Sequence, residues 1–161
     1  MRGLLLSALV VALAVVPVAT ANTPIREVNQ SQQDMLITGQ CAFPVLTHIQ
    51  GREILTTFTN RAGDEVRQLG VFPGNTLTLT NGNGGESLTL PATGSFQLRF
   101  HADGSATMML TGHGPFFPNP ITGQPGIWYL SGQIVATFDA PENMTSIGLV
   151  GNLENLCPRL A

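Results

Sequence analysis

The chain contains no lysine. All seven of its basic residues are arginines, and charged residues make up only 11% of it. The formal net charge is −3, one unit more negative once Arg2 is removed with a leader. Few and scattered positive charges exclude a nucleic-acid-binding surface, which needs a basic patch or stripe. Solubility falls to Thr, Ser, Asn and Gln, a balance that suits an extracellular β protein better than a long helical one. Several motifs are absent as well. There is no Gly-x-Ser-x-Gly elbow, no phosphate loop, no His-x-His pair and no Cys-x-x-Cys pair. No long apolar run follows the first twenty residues.

That first run sets the compartment. Arg2 is the one charge before Arg26, and "LLLSALVVALAVVPVA" followed by "ATA" has the layout of a secretory signal peptide. The run is shorter than the roughly 20 residues that span a bilayer, and Pro17 and small residues close it. Residues 1–21 therefore read as a leader cleaved after Ala21. The protein is expected to be secreted, with no membrane insertion afterwards. An uncleaved membrane anchor is the rival reading. Residues 22–161 are then enough for one domain.

Two cysteines remain, Cys41 and Cys157, near the two ends of the folded region. Outside the cytoplasm such a pair is most simply a disulfide. Closing so long a loop stabilises by on the order of 4–5 kcal/mol at most. The alternative is a pair of free thiols serving catalysis or a metal, although neither has a His or second Cys nearby at ligand spacing.

Residues 22–40 are polar and mixed, and they read as a flexible arm with at most a helical turn near Gln32–Leu36. From residue 41 the chain alternates short β-prone runs with turn residues. Glu53–Thr59 sets Ile54, Thr56 and Phe58 on one face. Thr76–Thr80 alternates strictly, with Leu77 and Leu79 inward, and Leu88 and Leu90 answer them after the turn "NGNGG". Phe96, Leu98 and Phe100 share a face before the Asp103-Gly104 turn. In "GIWYLSGQIVATFD", Trp128, Leu130, Ile134, Ala136 and Phe138 fall on one face and Tyr129 on the other. Gly132, Gly148 and Gly151 interrupt these runs where bulges or bends belong. Eight or nine strands with turns every 8–12 residues and no convincing helix predict an all-β antiparallel fold over 41–161. Short hairpin connections favour a closed up-and-down barrel of about eight strands over a two-sheet sandwich.

Candidate chemistry is sparse. His48, His101 and His113 are each alone in their local sequence. Most of the ten carboxylates sit in turns or on polar faces, where solvated turn residues are the plain reading. "NGNGGE" resembles a glycine-rich calcium turn, but a single copy reads as a hairpin loop. Asn29 and Asn143 match glycosylation acceptors. No catalytic residue, metal or cofactor is assigned.

The densest stretch is "LTGHGPFFPNPITGQPGIWYLSG", Leu110 to Gly132. Its four prolines forbid a regular helix. It leads into Trp128 and Tyr129, the single Trp and single Tyr of the chain. His113, Phe116, Phe117, Trp128 and Tyr129 are therefore candidates for the rim of a pocket holding a small apolar molecule. The alternative is that Phe116 and Phe117 plug an open end of the core.

Taken together, "CAFPV" soon after the leader, "GHGP", "LSGQIVATFD" and a closing "LC" resemble a group of small secreted proteins common in high-GC Gram-positive bacteria. The arginine-only usage agrees. The resemblance implies an all-β fold and a structural Cys41–Cys157 bridge, and it lends no catalytic residue. By fold analogy, small barrels of the lipocalin or allene-oxide-cyclase type bind apolar ligands. Three functions follow as expectations: a secreted disulfide-closed barrel binding a small apolar ligand, an extracellular or envelope-associated interaction module without catalysis, or, third, an isomerase or hydrolase using His and carboxylates gathered from distant strands.

Overall fold

A computed structural model describes residues 22–140 and 143–161. The expected leader, residues 1–21, and its cleavage site lie outside the described residues. In chain order the elements are β1 (Ile25–Ile37), β2 (Val45–Thr59), β3 (Glu65–Phe72), β4 (Thr76–Asn81), β5 (Ser87–Pro91), β6 (Gly94–Phe100), β7 (Ala106–Phe116), β8 (Trp128–Ala140), β9 (Asn143–Asn155) and a single-turn helix α1 (Cys157–Leu160). All nine strands belong to one antiparallel sheet.

The nine strands act as seven long ribbons. β4 and β3 lie end to end along one edge of β2, with Gln50 opposite Thr76 and Ile54 opposite Val71. β5 and β6 continue the pattern, with Pro91 opposite Thr76 and Gly94 opposite Phe72. The break between β3 and β4 is organised by Asn75. Its buried Oδ1 accepts the Arg52 N–H at 2.7 Å, and its carbonyl accepts the Ala92 N–H at 2.8 Å. The Asn75 side chain occupies the space over Gly51 that a Cβ there would need.

A second line of close approach crosses the next strands. Gly94, Gly112, Gly132 and Gly151 are consecutive partners across β6, β7, β8 and β9. Gly112, Gly132 and Gly151 have φ of +119°, +149° and +128°. A Cβ on Gly112 would lie 2.6 Å from the Gly94 Cα, and one on Gly132 would lie 2.8 Å from the Gly151 Cα. Glycine alone fits such a row without strain.

The row divides the apolar residues of β8. On its C-terminal side Ile134 and Ala136 are buried. On its N-terminal side both Leu130 and Tyr129 are buried, and Tyr129 joins a cluster with Ile37, Val45, Leu77, Leu79, Ile127, Leu156 and Leu160. Those residues come from strands far apart in the sheet order, so the sheet curls until β8 packs over β4 and β2. Leu77 and Leu79 lie opposite Leu90 and Leu88, and full burial of each leucine is worth about 1.5–3 kcal/mol. On the outer face the intervening Thr78 and Thr80 bond Thr89 and Ser87 across the strands at 3.1 and 2.7 Å.

The chain's end closes this cluster. Cys41 and Cys157 form a disulfide with Cα atoms 5.5 Å apart, a normal span. Leu156 donates its N–H to the Ile127 carbonyl at 2.8 Å, and the Asn81 side-chain amide donates to the Leu160 carbonyl at 2.9 Å. Leu156 and Leu160 are thereby fully buried.

Two expectations are revised. The sheet does not close into a barrel: among the described residues β1 pairs with β2 alone and β9 with β8 alone. Local alternation predicts each hairpin, but it carries no information on whether the first and last strands meet. Nor does the chain form a two-sheet sandwich, since one hydrogen-bonded sheet holds every strand. Residues 25–37, expected as part of a flexible arm with at most a helical turn, form β1, paired with β2 residue for residue and without a bulge. Their lack of alternation reflects exposure of both faces, not lack of structure. Among the described residues no helix is long and apolar enough to cross a membrane.

Candidate functional site

Curling leaves a cleft of about 450 Å³ between the β1–β2 pair and β7. β1 contributes Ser31 and Gln33, and β2 contributes Ile49 and Glu53. The opposite wall runs along β7 from Leu110 through His113 to Phe116. Phe72, Ala92 and Leu130 line it between the two. Apolar surface predominates, and a few hydroxyl, amide, carboxylate and imidazole groups punctuate it. That composition suits a small-molecule site.

β7 reaches further than its sequence suggests. "GHGPF" continues the strand, with His113 opposite Ser131, Pro115 opposite Tyr129 and Phe116 opposite Trp128. Pro115 sits where the strand has passed the end of its β6 partner, so its missing N–H costs no bond on that side. The His113 backbone N–H still finds the Thr93 carbonyl at 2.7 Å. Its ring is fixed twice: Nδ1 is 3.1 Å from the Ser131 hydroxyl, and the imidazole stacks on Tyr129 with centroids 5.9 Å apart and planes 17° from parallel. Tyr129 in turn donates its hydroxyl to the Pro91 carbonyl at 2.7 Å. Burial raises the Tyr129 pKa above 10.0, and the Glu154 carboxylate adds to the rise. At neutral pH the phenol is a fixed donor and a neutral platform beneath His113.

Of the five residues singled out by sequence, the structure brings His113 and Phe116 into the cleft. Phe117 turns away and packs against the Leu77–Leu160 cluster. The two phenylalanines thus divide the two expectations: one lines an opening and one plugs the core. Trp128 is half-buried, and its Nε1 donates to the Gln124 carbonyl at 3.3 Å. Tyr129 is buried and touches the cleft only through His113.

Sequence reasoning missed the wall opposite. Gln33 and Glu53 carry no motif, Ser31 stands out only as the third residue of the Asn29 acceptor triplet, and they come from a segment read as an arm and from a strand read as ordinary. It also missed Asn119, which is buried and holds the loop after Phe117. Its Oδ1 accepts the N–H groups of Ile121 and Thr122 at 2.8 and 3.0 Å, and its own N–H reaches the Gln124 carbonyl at 3.0 Å. An Asn before a turn is the available signal for such a role.

The three histidines do not converge. His48 Nδ1 lies 2.6 Å from Asp34, His101 Nε2 lies 3.0 Å from Thr107, and His113 bonds Ser131. Among the described residues no group of three or more His, Cys, Asp or Glu is placed to hold a metal ion. At the β6–β7 turn, the Ser105 hydroxyl and N–H hold the Asp103 carboxyl below its ordinary range, an exposed turn device rather than a catalytic one. Comparison with known proteins finds no matching family model, no matching curated protein and no matching solved structure.

Proposed function

We propose that the chain is exported by its leader, residues 1–21, and binds a small apolar molecule with one hydrogen-bonding group in the cleft between β1–β2 and β7. The cleft itself carries this reading. Its volume suits a small ligand, its lining is mainly apolar, and His113 is held in place by Ser131 and Tyr129 rather than left free. Export is supported by the Cys41–Cys157 bridge, which belongs to an oxidising compartment. The resemblance to small secreted proteins of high-GC Gram-positive bacteria agrees with it. We read the site as a carrier rather than a catalyst, because among the described residues no carboxylate is hydrogen-bonded to His113 to orient it as a base.

Thermal denaturation tests this reading. Protein taken directly from the medium should melt higher than protein stripped by organic extraction, and returning the extract should restore the difference. Equal melting of all three samples overturns it.

The second reading, an interaction module without catalysis, is favoured by the open edges of β1, β5 and β9.

A further inference from the structure

β1 is a long, unbroken open edge. It bonds β2 along its whole length, from Ile25 opposite Thr57 to Ile37 opposite Val45, with no bulge. Among the described residues nothing pairs with its other side. It contains no proline and no lysine, two residues that commonly guard such edges. Ile37 is buried in the core, but the other apolar side chains are uncovered: Ile25 is 59% exposed, Met35 37% and Leu36 58%.

We propose that β1 pairs antiparallel with β1 of a second copy, about a two-fold axis at Gln30, so that one sheet runs through a dimer. A two-fold axis across antiparallel strands sets each residue opposite the position equally far on the other side of it. With the axis at Gln30, Arg26 faces the partner's Asp34, and Ile25 faces the partner's Met35. Symmetry makes each of these pairs occur twice. Opposite charges and apolar pairs placed directly across two strands both stabilise pairing. Moving the axis to Asn29 sets Arg26 against Gln32, and moving it to Ser31 sets Arg26 against Leu36, so one register alone matches charge and apolarity together. Asp34 already holds His48 through Oδ1, which leaves Oδ2 for the guanidinium. Neither of the other open edges fixes a register in this way: β9 carries Glu154 and no cation, and β5 carries no charge and ends in Pro91. Pairing of this kind closes on itself as a dimer and does not propagate into a fibre. It goes beyond the reading of the cleft and holds whether or not the cleft is filled.

Sedimentation velocity of the purified protein over a concentration series tests it. The expected result is a concentration-dependent dimer. R26D and D34R each set like charges across the axis twice, and each should weaken self-association by about tenfold or more. The double variant R26D/D34R exchanges the charges and should recover the wild-type dimer. Circular dichroism of the same samples reports whether the sheet persists. A monomer at every concentration overturns the proposal. So does a dimer indifferent to both single variants, which places the contact elsewhere, or a double variant as weak as the singles.

Discussion

Gly112 of β7 lies directly opposite Gly132 of β8, and each is also pressed against a further glycine, Gly94 on one side and Gly151 on the other. Four strands therefore pass through one line where no side chain fits. The line lies between the two buried groups of β8, Tyr129 and Leu130 before it and Ile134 and Ala136 after it. Gly132→Val should cost about 2–4 kcal/mol, because it combines a positive φ with a collision against the Gly151 backbone. Gly148→Ala, on β9 with open space where the Cβ would go, should stay within about 0.5 kcal/mol. Urea denaturation of the two variants checks the contrast. Equal effects would mean that the row is incidental.

Phe116 and Phe117 should separate in the same assay. Phe117→Ala removes a ring packed on the Leu77–Leu160 cluster and should cost about 2 kcal/mol or more. Phe116→Ala removes a ring from the cleft wall and should cost less than about 1 kcal/mol, while weakening retention of any bound molecule.

How much of this was legible in the sequence differs between elements. The Leu77–Leu79 and Leu88–Leu90 alternation pointed directly to a half-buried hairpin, and Asp103-Gly104 to its turn, because those signals are local. The disulfide was legible from compartment and count. β1 was not, because a strand exposed on both faces shows no period. Strict alternation puts Tyr129 and Leu130 on opposite faces, yet both are buried, because the glycine row turns the strand. The cleft was half legible: His113 and Phe116 stand out in a Pro- and Gly-rich stretch, whereas Ser31, Gln33 and Glu53 acquire meaning only when the sheet curls. Closure could not be read at all, since it depends on whether residues more than a hundred positions apart meet.

The disulfide ties the segment before β2 to α1 and so holds the lid residues Leu156 and Leu160 on the core. Cys157→Ser should lower stability by about 2–5 kcal/mol. Thermal melting of the wild type with and without a reductant should show the same loss, and unchanged melting would mean that the helix is held by its apolar contacts alone.

The single tyrosine gives a clean titration. Its folded-state pKa lies above its unfolded value of 10.0, so the neutral phenol is favoured in the native state. The stability this contributes is fully present below pH 10.0 and is lost as pH rises through the higher folded value. Ultraviolet absorbance of the phenolate should therefore appear above pH 10.0 in the native protein and near it in urea. Coincident titrations would place Tyr129 in solvent.

The claim that matters most is that the cleft holds a molecule. Native mass spectrometry of the protein recovered from its own culture medium tests it most directly, with Gly114→Leu as the control. Gly114 lines the cleft, its φ is not positive, and nothing lies within 4 Å of where its Cβ would stand, so leucine should fold normally and fill the space. The account predicts a noncovalent adduct on the wild-type chain that is absent from the variant. A bare polypeptide mass for the wild type, or an adduct that the leucine leaves in place, would contradict it.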